Sequence, residues 1–243
     1  SPMPHQPIAV SDKFKGKSTL GLYGDVIMEI DWSVGEILRS LKSNQIEDNT
    51  LIIFASDNGP WLNFGDGGGS AGPLREGKGT MWEGGARVPC IMQWPKSIQP
   101  NRVTSKIAGT IDILPTIAEV TGSDLPMKKI DGKSVWKIWT GDSDQSPHEA
   151  YFFYYRRNDL HGVRYKNWKL YFPHKYRSLN GKPAGMDAYQ AKYDMNELKK
   201  IELYDLSADI SETTDVAQQN PDVVEKIKSL ADDMRNELGD GLY

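Results

Sequence analysis

The sequence predicts an α/β fold, and three observations lead there. Apolar residues recur at three- and four-residue steps over residues 18–42, an unbroken apolar run fills residues 51–55, and beyond a polar stretch at 142–147 the composition turns aromatic and basic. The first pattern is helical. The second suits a strand buried on both faces of a parallel sheet. The third, alternating and rich in aromatics, suits a small antiparallel sheet.

In chain order, residues 1–17 carry Pro2, Pro4 and Pro7 around His5 and read as an extended loop. Leu22, Tyr23, Val26, Ile27, Ile30, Val34, Ile37, Leu38 and Leu41 then mark one face of a long amphipathic helix. After the polar turn at Glu47, Asp48 and Asn49 comes the apolar run, which ends in Asp57-Asn58-Gly59. Residues 63–79 hold so many glycines that backbone must approach something closely or take positive φ. Residues 88–94 read as a second short core strand, with Cys90 as a packed small hydrophobe, and residues 111–120 as a helix with Pro115 in its first turn. This α/β part spans residues 1–141. Residues 142–243 form a small α+β domain, closed by a helix that opens at Pro221 and turns Val224, Ile227, Leu230, Ala231 and Met234 to one side.

Composition excludes some classes of partner. With 29 basic and 33 acidic residues in 243, the net charge is −4, and no whole-chain field gathers nucleic acid or anionic lipid. No apolar run approaches the roughly 20 residues that span a bilayer. The single cysteine, Cys90, rules out an internal disulfide.

Asp57 and Asn58 place a carboxylate and an amide oxygen at the carboxyl edge of a strand, where open α/β sheets bind ligands. Asx-Gly is also a common turn signal, so a plain turn is the alternative. Lys78 lies between Gly77 and Gly79, with no side chains to block an anion from its ammonium; an exposed loop lysine is the plainer reading. The spacing is not that of a phosphate-binding G-x-x-x-x-G-K-[ST] loop, because Gly79 follows Lys78. His5, stiffened between prolines, could act as a general acid or an anion contact. His161 and His174 could line a substrate cleft in the aromatic part, while His148 beside Pro147 reads as linker. Glu83 and Arg87 read as a structural ion pair, and residues 151–155 as core of the small sheet.

Five blocks in order, PHQP, YGDVIMEIDWSVGEIL, NTLIIFASDNG, LREGKGTMWEGGARVP and ELYDLSADISETTDVA, resemble the sulfatase family, of the arylsulfatase A type. The resemblance runs from His5 to the final helix and implies part of an alkaline-phosphatase-like mixed sheet with flanking helices. A smaller four-stranded antiparallel sheet with a C-terminal helix follows.

Carried over position by position, the resemblance implies that Asp57 and Asn58 ligate a calcium ion, that Lys78 contacts the sulfate, and that His5 stands beside the ester's leaving oxygen. The family's nucleophile is a formylglycine made within a C/S-x-P-S-R motif, which this sequence lacks; Cys90 in PCIM does not supply it. The resemblance therefore covers the C-terminal half of a sulfatase. Its partner is the missing N-terminal half, its substrate a sulfated carbohydrate or aryl sulfate ester, and its setting extracytoplasmic: periplasmic, lysosomal or secreted. Such a chain is expected to be inactive alone. Phosphate or phosphonate monoester hydrolysis and non-catalytic binding of sulfated glycans are the alternatives.

Overall fold

The computed structural model describes residues 4–156, 158–186 and 189–239. Helix α1 spans Gly21–Ser43. The loop before it is tied down by Asp25, whose carboxylate accepts the N–H groups of Gly16 at 2.7 Å and Ser18 at 2.6 Å. Lys42 lies in its last turn, where a cation suits the helix dipole. No helix among the described residues is long and apolar enough to cross a membrane.

Strand β1, Ile52–Ala55, pairs antiparallel with β2, Cys90–Gln93, in a two-stranded ribbon. This corrects the expectation of two buried core strands in a parallel sheet. With one neighbour each, the strands leave a face bare: Phe54 is 40% and Ile91 65% exposed, and Cys90 is an exposed thiol, not a packed one. Between the two strands a short helix, α2, spans Glu83–Ala86.

Helix α3, Ile113–Thr121, starts with Pro115 in its first turn and stops at Gly122, whose φ of 67° closes it in the left-handed conformation. Helix α4 spans Trp136–Thr140. His148 is not loose linker. It is buried, with Nε2 2.7 Å from Oδ1 of fully buried Asp112, which also accepts the N–H groups of Gly109 and Lys133. The carboxylate thereby ties the stretch after α4 back to the start of α3.

The remaining chain builds the predicted antiparallel sheet. Strands β3 (Ala150–Tyr155), β4 (Asp159–Tyr165), β5 (Trp168–Tyr171) and β8 (Glu202–Asp205) lie in that order, each antiparallel to the next. Between β5 and β8 a separate hairpin pairs β6, His174–Ser178, with β7, Asp194–Leu198. Helix α5, Pro221–Leu238, presses Ile227 and Ala231 against Leu160, Val163, Leu170 and Leu203 on one sheet face. Strand alternation sends Tyr171 and Tyr204 to the other face, where they enclose Trp82 of the glycine-rich loop.

Charge is buried beside that tryptophan. Lys169, on β5, is fully buried, with Nζ 2.7 Å from Glu83 Oε1 and 3.9 Å from Glu212 Oε1. The Glu83 N–H donates to Glu212 Oε2 at 2.8 Å, and the Tyr171 hydroxyl donates to the same carboxylate. Arg87 and Arg164 each stand 3.6 Å from Glu83 Oε2, so the Glu83–Arg87 pair exists as one spoke of a larger network. Burial opposes the charge on Glu83, but the Lys169 ammonium, joined by the Arg164 and Arg87 guanidinium groups, outweighs it and holds the carboxyl below its ordinary pKa. At Glu212 burial wins and the pKa rises.

Removing one partner from such a network leaves the others charged and dry, at a cost of about 3–5 kcal/mol. Lys169→Ala is expected to lower unfolding stability by about that amount in urea titrations, and a loss under about 1 kcal/mol would contradict a shared charge network.

Candidate active site

The site is assembled where the turn after β1 meets the glycine-rich loop. The Gly59 N–H donates to the Gly85 carbonyl at 3.0 Å, and a Cβ on Gly59 would lie 1.7 Å from the Gly84 carbonyl oxygen. Gly84 in turn donates to Arg75 O at 2.8 Å, and a Cβ there would lie 2.1 Å from Glu76 O. Both contacts are backbone against backbone, so only glycine fits. Continuing the same seam, the Lys78 N–H donates to Pro60 O at 2.8 Å.

Trp61, half-buried, is the centre on which two predicted groups converge. The Lys78 ammonium stands 5.1 Å from the indole centroid, a cation–π distance, and the His5 ring lies 5.2 Å away at 47°. Phe64 backs the indole edge-on at 4.6 Å. The His5 segment is held by Gln6, whose amide donates to Gly67 O at 3.1 Å. His5 Nδ1 is 2.8 Å from the Gln6 carbonyl, an acceptor, so Nδ1 carries a proton and Nε2 is left for exchange with a ligand.

Asp57 is exposed and Asn58 half-buried at the end of β1, three and two residues before Pro60. The Asn58 amide nitrogen donates to the Asp57 carboxylate, which leaves the amide oxygen and a carboxylate oxygen for a hard cation. That donor chemistry fits calcium. Calcium takes about 6–8 oxygens, however, and among the described residues no group of three or more His, Cys, Asp or Glu could hold a metal. Asp57 and Asn58 alone could supply only part of such a shell.

His161 and His174 are not brought to this pocket. Their rings stack on one another at 4.0 Å, both are buried, and His174 lies 6.4 Å from the Trp82 ring inside the aromatic cluster. His161 Nε2 is 2.9 Å from Asp159 Oδ2, and His174 Nδ1 donates to Phe172 O at 2.7 Å. Such placement makes them packing groups and leaves no open face for a substrate. Trp61 and Arg177, which donates to the Lys78 carbonyl, escaped the sequence reading. Trp61 carried a weak signal, an aromatic directly after Asn58-Gly59-Pro60; Arg177 carried none.

Residues 2–123 match the Sulfatase family model, and residues 77–239 match N-sulphoglucosamine sulphohydrolase, C-terminal. The chain belongs to the sulfatase family. It is 35% identical to Arylsulfatase H of Canis lupus familiaris over 96% of this chain and 45% of that protein. It is 33% identical to human Arylsulfatase A, over 93% and 46%. N-acetylgalactosamine-6-O-sulfatase of Bacteroides thetaiotaomicron is 32% identical, over 95% and 45%. A solved sulfatase from Pseudoalteromonas sp. superposes with a TM-score of 0.83 at 25% identity, covering 95% of this chain and 46% of that one. A Bacteroides thetaiotaomicron structure described under glycosaminoglycan metabolism gives 0.76 at 32%, covering 93% and 47%. The fold is therefore alkaline-phosphatase-like, and the chain spans less than half the length of these relatives.

Buried His174 makes stability depend on pH. Burial, then the neighbouring His161, pushes the His174 pKa down to about 4. An unfolded histidine titrates near 6.5, so between the two values the unfolded chain holds a proton that the folded one does not. The His174 contribution is full above pH 6.5, falls as pH drops toward 4, and is flat below. The span corresponds to a loss on the order of 3 kcal/mol. In denaturant titrations from pH 7 to 4, His174→Gln is expected to flatten that slope, and an unchanged slope would assign the loss elsewhere.

Proposed function

We propose that this chain is the C-terminal part of a calcium-dependent sulfatase that hydrolyses carbohydrate or aryl sulfate esters. Residues 1–141 complete its α/β domain, and residues 142–243 form its small domain. The observation that carries the reading is the convergence of His5 and Lys78 on Trp61, beside the turn that presents Asp57 and Asn58.

In this reading the Lys78 ammonium binds a sulfuryl oxygen and stabilises the charge that builds there in the transition state. In its doubly protonated form, with Nδ1–H on the Gln6 carbonyl, His5 gives its Nε2 proton to the departing ester oxygen, which becomes a neutral alcohol instead of an alkoxide. Asp57 and Asn58 supply two oxygen ligands to calcium, which when bound neutralises further sulfuryl charge. Trp61 fixes the ammonium and imidazole relative to each other and keeps one side of the pocket apolar.

The formylglycine nucleophile belongs to a preceding half of the polypeptide. Bare apolar side chains support the existence of a covering layer: Leu22, Ile27, Ile37, Phe54, Ile91, Leu114 and Ile117 are all exposed on α1, β1, β2 and α3. Such an enzyme would act outside the cytosol.

The test uses a polypeptide joining this chain to its preceding half, assayed for sulfate release from a sugar sulfate and from 4-nitrophenyl sulfate. Asp57→Ala is expected to weaken calcium binding and remove activity on both. His5→Ala should cost about 10²–10⁴-fold on the sugar sulfate and far less on the nitrophenyl ester, whose leaving group needs no proton. Equal losses on the two esters would overturn the role of His5, faster release of phosphate than of sulfate from matched aryl esters would reassign the reaction, and sulfate release by the 243 residues alone would overturn the split site.

A further inference from the structure

We propose that Arg177, on the small domain's β6, is a positioning residue that sets the direction of Lys78; this rests on the reading of Lys78 as the sulfate contact. The lysine sits between two glycines, so its own stretch of backbone has little to stiffen it. Two ties do so from outside. The Lys78 N–H donates to Pro60 O at 2.8 Å, and the Lys78 carbonyl accepts from Arg177, Nε at 2.9 Å and Nη2 closer still. Gly79, at φ 86°, leaves the space the guanidinium fills; a Cβ there would lie 2.2 Å from Arg177 Nη2. With both ends of the peptide held, only side-chain torsions of Lys78 remain, and Trp61 lies beneath the ammonium they deliver.

The guanidinium is itself seated. It lies 4.9 Å from the ring of Tyr193, at the far end of the connection between β6 and β7. That connection also grips the Trp61 side of the pocket through Asn63, two residues on. The Asn63 N–H donates to the Tyr193 hydroxyl at 3.1 Å, its amide nitrogen donates to Ala191 O at 2.8 Å, and its carbonyl accepts the N–H groups of Gly185 at 3.0 Å and Ala191 at 2.8 Å. One hairpin of the small domain therefore holds both Lys78 and the turn that carries Trp61. Two donors in a fixed fork on one carbonyl are a geometry that lysine cannot copy. Catalysis is sensitive to displacements of about 1 Å, so releasing this peptide is expected to be felt in turnover.

Two measurements test the assignment. In the sulfatase polypeptide that carries this chain, Arg177→Ala is expected to lower kcat/KM on 4-nitrophenyl sulfate about 10- to 100-fold, with Arg177→Lys between it and the parent. In a Lys78→Ala background the same change should cost less than about twofold, because a residue acting through Lys78 has nothing left to position. An equal factor in both backgrounds, or none in the parent, would overturn it. Absence of any sulfate release by the parent would instead defeat the underlying reading. The second measurement needs no activity: trypsin must reach the Lys78 carbonyl to cut the Lys78–Gly79 bond. Arg177→Ala in the 243-residue chain should speed that cut at least tenfold with little change in the urea midpoint, and an unchanged cutting rate would show that the guanidinium does not hold this peptide.

Discussion

Everything functional in this chain depends on a backbone seam that only glycine permits. Gly59 passes so close to Gly84 that it tolerates no side chain, the Glu76 and Arg75 carbonyls bar one from Gly84, and this seam brings the turn after β1 against the loop carrying Lys78. Without it, Asp57 and Asn58 would project from one place and the ammonium from another. The seam is short and made of peptide groups, so it has little apolar area of its own with which to hold.

Its strength comes from the small domain. Trp82, four residues past Lys78, is fully buried against Tyr171 and Tyr204, and an aromatic of that size dominates its local energetics. Glu83 follows it into the interior and meets Lys169. Buried ion pairs contribute little net stability compared with apolar packing, but they are costly to misalign. The network therefore specifies one seating of the loop on the sheet. Arg75 adds to this by stacking on Trp82 at 3.6 Å while donating to the Tyr204 and Tyr176 hydroxyls. The aromatic sheet and its hairpin are in this sense part of the frame of the candidate site.

Much of this was legible in the sequence where the signal is local. Periodicity located α1 and α5, Pro221 marked the first position of the latter, and alternation of aromatics pointed to a small antiparallel sheet, whose four strands came from the family resemblance. Glycine density announced a close backbone approach without saying to what. The errors have a common cause. An apolar run such as residues 51–55 records that a strand is apolar, not how many neighbours cover it, so the expectation that β1, β2 and Cys90 are core fails. His148 passed for linker because its partner, Asp112, is 36 residues away, and Arg177 was invisible because Lys78 is 99 residues away. His161 and His174 looked available because polarity suggests exposure, whereas aromatic neighbours bury them.

The central claim is that seam, lysine loop and small sheet open together as one unit. Native-state hydrogen exchange measures this directly, residue by residue. The amides of Gly59 and Lys78, donors across the seam, and of Gly84, which donates to Arg75 O within the loop, should exchange with the same opening free energy as those of Leu170 and Leu203 in the sheet core. Exchange of the three at the rate of an open surface loop, while the sheet stays protected, would contradict the account.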